Sequence, residues 1–197
     1  MSSNITLYTW STANGIKASI TLEELGLPYK TEGIDISSSS NPQKEEWFLK
    51  INPNGRIPAL LDGSQRVFES GAIMTYLVDK YDTERKISYA PGTPEHVEQT
   101  SWLMFQMAGL GPMQGQANHF RLFANTRSDY AIQRAPVSLE IDLSEFPAVK
   151  KWVEEIDKRA AVQKGVDVPH AMTPEQKAEI FRNFRAKIDA MTTSDQH

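Results

Sequence analysis

The chain has 197 residues, 40% of them hydrophobic and 23% charged, a formal net charge of −4 and no cysteine, a composition typical of an ordinary globular protein. The lack of cysteine excludes disulfides, cysteine nucleophiles and cysteine-ligated zinc or iron–sulfur sites, so thiol chemistry needs a sulfur that arrives with a ligand. The excess of acidic over basic residues disfavours nucleic acid as a partner. Without an apolar run of roughly 20 residues or a signal peptide, we expect a cytoplasmic protein with no membrane partner.

The first 85 residues have the pattern of alternating strands and helices. A β-prone run at residues 4–8 precedes a helix predicted over Ile16–Leu25, which Gly26 and Pro28 end. Further strands are predicted over 29–36, 57–61 and 66–68, with a short helix at 45–49 and a longer one from about 71 to 81. This order predicts a small α/β domain with a mixed sheet over residues 1–85.

Pro58 is an unusual residue inside the apolar run 57–61. Because proline has no amide proton, it fits either the edge of a sheet or a cis turn that exposes neighbouring backbone groups. A strained turn of that kind often marks a ligand site, and a plain edge-strand proline is the alternative.

The second half of the chain has a helical pattern. Residues 86–94 are polar and rich in proline and glycine, which predicts a linker. Helices are predicted from Pro94, with a break near 109–115, within 119–134, from Pro147 and after Thr173. We therefore expect an all-α domain over residues 95–170 and a helical tail over 171–197.

The histidines do not indicate a metal site, because their spacing is unlike that of metal ligands. They are His96, His119, His170 and His197.

Four motifs, in order along the chain, carry a family resemblance. They are residues 12–17 (TANGIK), 22–29 (LEELGLPY), 52–60 (NPNGRIPAL) and 68–73 (FESGAI). With them the chain resembles the glutathione transferase superfamily over about residues 4–170. Residues 109–116 (GLGPMQGQ) narrow the resemblance to the nitrogen-regulator-like (URE-type) class and its bacterial Nu-class relatives. The resemblance implies a thioredoxin-like N-terminal domain followed by an all-α domain.

The resemblance also implies a glutathione site. Pro58 would be cis, so that the N–H and C=O groups of Ile57 face the cysteinyl part of the peptide as an added strand would. Ser70, at a helix N-terminus, would bind the γ-glutamyl carboxylate, and Glu69 would pair with the γ-glutamyl ammonium. Without the family, Ser70 is simply an N-cap and Glu69 complements the helix dipole.

The loop before the first helix is predicted to hold the sulfur of glutathione. A free thiol has a pKa near 8.5, and hydrogen-bond donors lower that pKa by favouring the thiolate. In the resembling classes a threonine and the asparagine two positions later donate, which implies Thr12 and Asn14 here, with Ser11 as a further candidate. The alternative is a loop that only caps the helix. Tyr8 lies inside a strand, so a tyrosine-based mechanism is disfavoured.

The family implies a homodimeric glutathione transferase or glutathione-dependent disulfide reductase. In either case the thiolate of bound glutathione attacks an electrophile or a mixed disulfide. A peroxidase side activity and a role in detoxification are compatible with it, and a cysteine-dependent omega-type route is excluded. One alternative is a non-catalytic glutathione-binding or regulatory protein. Another is a dimerising scaffold with no affinity for glutathione.

The chain departs from the family after residue 134. Residues 128–134 match relatives. Residues 135–136 then lead almost at once into 139–147, which match a segment that lies much further along the chain in those relatives. About 40 residues, or roughly two helices with their connections, are missing from the centre of the second domain. Arg134 matches an arginine that contacts glutathione in relatives and lies at this junction. We expect exposed apolar faces on the flanking helices, unless they repack or a dimer covers them; the third alternative is a truncated isoform of low stability.

Overall fold

The computed structural model describes residues 4–120, 124, 128–134, 144 and 146–173, with residues 175, 176, 178, 179 and 182. Within these residues the chain forms strands β1 Ile5–Thr9, β2 Lys30–Gly33, β3 Ala59–Asp62 and β4 Gln65–Phe68. The helices are α1 Gly15–Glu24, α2 Glu46–Leu49, α3 Ser70–Tyr81, α4 Pro94–Phe105, α5 Gly111–Asn118, α6 Asp129–Arg134, α7 Pro147–Asp157 and α8 Ala160–Val166. A 3₁₀ turn, Pro42–Lys44, precedes α2, and a π-helical segment, Gln106–Leu110, joins α4 to α5.

The four strands form one mixed sheet in the order β2-β1-β3-β4. β2 is parallel to β1, whereas β3 is antiparallel to both β1 and β4. Together with the helical region that follows, this sheet is the thioredoxin-like arrangement predicted from the sequence. Tyr8 pairs with Ala59, and Ala59 pairs with Phe68. The end of β1, the start of β3 and the end of β4 therefore lie at one end of the sheet, called here the site end.

Two apolar clusters hold the sheet. The first joins the sheet to α1 and α3, whose buried residues Ala18 and Leu22, and Ile73 and Leu77, recur at the i, i+4 spacing of one helix face. The second cluster consists of Ile34, Phe48, Ile51 and Ala59. Because the first cluster fixes α1 and α3, it also fixes the helix N-termini that open at the site end.

The observed elements differ from the predicted ones mainly at their ends. The strand predicted over 29–36 is confined to Lys30–Gly33, and β3 begins at Ala59 because Pro58 has no N–H for the ladder. The break expected near 109–115 overlaps the π-helical segment only at residues 109–110, and α5 is regular from Gly111 onward. Of the helix predicted within 119–134, the structure describes α6, and most of the predicted tail lies outside the described residues.

Helix α8 packs directly on α1 and so attaches part of the helical half to the α/β domain. The Ser19 hydroxyl donates to the Gly165 carbonyl at 2.5 Å. The Arg159 guanidinium donates two hydrogen bonds of 2.6 Å to the Glu24 carboxylate. The contact combines a buried hydrogen bond with a bidentate ion pair, a geometry that fixes orientation.

Helices α4 and α7 expose large apolar side chains. Trp102 and Phe105 on α4 are 63% and 59% exposed, and Trp152 on α7 is 60% exposed. Neither helix contains a buried residue. Exposed apolar faces on these helices are what the sequence predicts, and the absence of a central helix beside them stays a prediction.

Across the described part of the chain, each helix is too short or too polar to cross a lipid bilayer.

Candidate functional site

Three loops meet at the site end of the sheet. The loop 10–14 follows β1, residues 57–58 precede β3, and residues 69–70 follow β4. The register Tyr8–Ala59–Phe68 brings these three positions side by side. The predicted residues Thr12, Asn14, Ile57, Pro58, Glu69 and Ser70 therefore come from loops that share one end of the sheet.

The loop 10–14 leaves two polar side chains available. The Thr12 hydroxyl accepts the Gly15 N–H at 3.0 Å, which caps α1 through an oxygen lone pair. Its own proton has no acceptor among the described residues, so capping and donation are compatible in one hydroxyl. The exposed Asn14 side chain makes no capping hydrogen bond. A Cβ at position 15 would lie 2.3 Å from the Trp10 carbonyl oxygen, so only glycine allows α1 to begin this close to β1.

Ser11 differs from Thr12 in what it contacts. Its hydroxyl donates to the His170 carbonyl at 3.4 Å, and the neighbouring rings of Trp10 and His170 lie edge to face at 5.0 Å. The only proton of Ser11 is thus directed at the segment after α8. Of the candidate donors in this loop, Thr12 and Asn14 keep unused donor groups among the described residues.

Tyr8 is held by other aromatic rings. Its ring packs against Phe48 and Trp47, with centroids 6.1 and 6.2 Å away. Burial and the nearby Glu32 carboxylate raise the pKa of the Tyr8 hydroxyl. These contacts are those of a packing residue, and the prediction that no tyrosine takes part in the chemistry stays a prediction.

The segment before β3 offers a free backbone. The Ile57–Pro58 peptide is cis, as the family resemblance implied. Neither the N–H nor the C=O of Ile57 bonds to a described residue. The buried Asn52 fixes the preceding turn, because its amide donates to the Arg56 carbonyl at 2.6 Å and its oxygen accepts the Asn54 N–H at 3.0 Å. Ile57 can therefore pair with an extended peptide.

Glu69 and Ser70 open α3. Glu69 has φ 73° and ψ 125°, a region that costs a non-glycine residue free energy and is concentrated at ligand sites. Its side chain is exposed, whereas Ser70 is buried. The free N–H groups of this 12-residue helix and the Ser70 hydroxyl together suit an anion.

Lys17 is a site residue that the sequence interpretation missed. Its ammonium donates to Gln106 Oε1 at 2.9 Å and to Ser70 Oγ at 3.4 Å. Burial lowers the pKa of Lys17, and the negative charge of Glu69 partly opposes that shift. Its only signal in the sequence is its place inside the motif 12–17.

Arg134 is the one predicted site residue whose side chain lies outside what the structure describes; it is the last residue of α6. Among the described residues, no group of three or more histidine, aspartate and glutamate side chains is arranged to hold a metal ion.

A family model and a solved structure resemble this chain. The family model for the glutathione S-transferase N-terminal domain matches residues 3–79. A crystal structure of a glutathione transferase homologue from Lodderomyces elongisporus, with two glutathione molecules per subunit, is 37% identical with a TM-score of 0.78. The match covers 84% of this chain and 98% of that one.

Two curated proteins are similar in sequence. The glutathione S-transferase-like protein gedE of Aspergillus terreus is 37% identical over 158 residues, and protein URE2 of Candida glabrata is 38% identical over 129 residues. These matches cover 79% and 63% of this chain. The chain spans 65% of the first protein's length and 36% of the second's.

Proposed function

Because this chain belongs to the glutathione transferase superfamily, in its URE-type class, we propose that it binds glutathione at the site end of the sheet and stabilises the glutathione thiolate. The thiolate would attack an electrophile or a mixed disulfide. The observation that carries the proposal is the meeting of loops 10–14, 57–58 and 69–70 at one end of the sheet. The related Lodderomyces structure, which binds glutathione, supports the choice of ligand.

The γ-glutamyl and cysteinyl parts of glutathione have matching groups among these loops. The γ-glutamyl carboxylate would accept from the Ser70 hydroxyl and the first N–H groups of α3, while the exposed Glu69 carboxylate would pair with the ammonium. The cysteinyl backbone would pair with the free N–H and C=O of Ile57. The sulfur would then lie towards Thr12 and Asn14.

Thr12 and Asn14 suit a thiolate because both can donate without carrying a charge. A donor that bonds to the anion stabilises it relative to the thiol and lowers the thiol pKa. One unit of that shift corresponds to about 1.4 kcal/mol and raises the thiolate fraction nearly tenfold when the thiol pKa is above the ambient pH. We propose Thr12 and Asn14 as the catalytic donors, with Ser11 outside that role because its proton is directed at His170.

The proposed disulfide reaction uses only substrate sulfur. The bound glutathione thiolate attacks one sulfur of a mixed disulfide, a new S–S bond forms, and the other sulfur leaves as a thiolate that takes a proton from water. When the attacked sulfur belongs to glutathione, the products are glutathione disulfide and a free thiol. Since the chain has no cysteine, no enzyme-bound disulfide intermediate arises.

A homodimer and a cytosolic location complete the proposal. The exposed apolar face of α4, with Trp102 and Phe105, is a surface that a second copy would cover. The cytosol is the compartment that keeps glutathione reduced, which the proposed reaction requires.

A second candidate is a non-catalytic glutathione-binding protein on the same fold. The observation that favours it is the exposure of α4 and α7, because helices with open faces provide less wall for an electrophile pocket. Glutathione binding would persist, since the loops that bind it belong to the α/β domain.

Binding and turnover together test both candidates. The protein should be retained on immobilised glutathione, and glutathione at 100 times its Kd should add about 2.7 kcal/mol to the free energy of unfolding. Reduction of a glutathione mixed disulfide then supports the enzyme. Binding without turnover supports the second candidate, and a melting curve that glutathione does not change contradicts both.

A further inference from the structure

Lys17 connects three separate parts of the site. It lies in the first turn of α1, and its ammonium contacts Ser70 at the start of α3. It also contacts Gln106 and Met107, the first two residues of the π-helical segment, at 2.9 and 3.7 Å. One half-buried cation therefore links the two helix N-termini to the helical half of the chain.

The bond from Lys17 decides where the Ser70 proton can go. An ammonium can only donate, so the Ser70 oxygen must accept from Lys17. The single proton of Ser70 must then point elsewhere, and its acceptor within the described structure is the Met107 sulfur at 3.6 Å. A thioether is a weak acceptor, so a carboxylate placed nearby would readily replace it.

The π-helical segment holds this arrangement tightly. A Cβ at position 71 would lie 2.9 Å from Met107 Cγ, so glycine at this position leaves room for the Met107 side chain at the start of α3. Gln106 Oε1, at 2.9 Å, is the nearest acceptor of the Lys17 ammonium. π-helical turns are often found at functional sites.

We propose that Lys17 is a positioning residue for glutathione binding: it directs the Ser70 hydroxyl towards the γ-glutamyl α-carboxylate and adds a positive charge beside it. This inference rests on the proposed function and deepens it. The preference for a carboxylate at this position would then depend on Lys17 of α1 as well as on Ser70.

The test replaces the ammonium and varies the ligand. Lys17→Met keeps the apolar stem and removes the charge, and Lys17→Gln is a second variant that retains a donor group. We expect Lys17→Met to raise the Kd for glutathione at least about tenfold, because a charge-assisted bond is lost. For a glutathione analogue whose γ-glutamyl α-carboxylate is an amide, wild type and variant should bind equally. KM for glutathione should rise while kcat changes little.

Two further comparisons separate this role from a structural one. Lys164→Met is the matched control, because Lys164 pairs with Glu23 near the other end of α1 at 2.6 Å, and it should leave the Kd unchanged. Lys17→Met combined with Ser70→Ala should cost less than the sum of the two single changes, since part of the effect of Lys17 acts through the Ser70 hydroxyl.

An unchanged Kd in both Lys17 variants, or fully additive losses with Ser70→Ala, would overturn the inference alone. A wild-type protein that does not bind glutathione would overturn the proposed function and this inference with it.

Discussion

Replacing Gly165 with alanine should separate α8 from α1. An added Cβ would lie 2.7 Å from Ile20 Cα and 2.8 Å from Ile20 N, both backbone atoms that cannot rotate away. Carbon atoms in favourable contact are about 3.5–4.0 Å apart, so α8 would have to move by roughly 1 Å. That movement also lengthens the Ser19–Gly165 hydrogen bond, now 2.5 Å.

The expected loss of stability combines three contributions. Overpacking costs about 1–3 kcal/mol, and the weakened hydrogen bond about 1 kcal/mol. Alanine returns up to about 1 kcal/mol because it favours the helix over glycine. The net loss is about 2 kcal/mol, which corresponds to a fall in Tm of roughly 4–8 °C for a chain of this size.

Thermal and urea unfolding, followed by circular dichroism, measure this loss. Gly115→Ala in α5 is the control, because a Cβ there would meet no described heavy atom within 4 Å. The control should keep or raise the Tm. A Gly165→Ala protein as stable as the control would refute the packing of α8 on α1 described above.

Three other changes test separate parts of the molecule. Thr12→Ala combined with Asn14→Ala should lower the rate of mixed-disulfide reduction at neutral pH at least about tenfold, because each unit by which the thiol pKa rises lowers the thiolate fraction nearly tenfold. Unchanged turnover contradicts the role of these two residues. Asp82→Asn should lower the free energy of unfolding at pH 7 by about 1–3 kcal/mol. Burial would raise the pKa of Asp82, but bonds from Ser88 and the backbone N–H groups of residues 86 and 87 outweigh it and hold that pKa below its usual range. The stability that Asp82 adds is therefore lost as pH falls through its lowered pKa, so the urea midpoints of wild type and variant should converge at that pH. A difference in midpoint that does not change with pH contradicts these hydrogen bonds to the Asp82 carboxylate. Trp102→Glu should convert a dimer to a monomer in light scattering, and a persistent dimer excludes this face of α4 as the interface.

Local patterns in the sequence predicted those helices and strands whose formation depends on residues close together in the chain. The helices predicted over 16–25 and from about 71 to 81 correspond to α1 and α3, whose buried residues Ala18–Leu22 and Ile73–Leu77 recur at the i, i+4 spacing of one face. The strand predicted over 57–61 begins only at Ala59, because Pro58 lacks the amide proton that the ladder needs.

Contacts between distant segments could not be read from the sequence. Lys17 meets Gln106 across 89 positions, and Ser11 meets the His170 carbonyl across 159. Neither pair has a spacing that a helix or strand period would reveal. The role of Lys17 and the separation of Ser11 from Thr12 therefore emerge only once α8 and the π-helical segment pack against the α/β domain.

The pKa of the bound glutathione thiol is the most direct measure of the proposed chemistry. Ultraviolet absorbance of the thiolate, titrated with saturating protein, should give an apparent pKa clearly below the value of about 8.5 for a free thiol. Thr12→Ala combined with Asn14→Ala should return it towards that value. Bound glutathione that titrates like the free thiol in the wild-type protein would contradict the account.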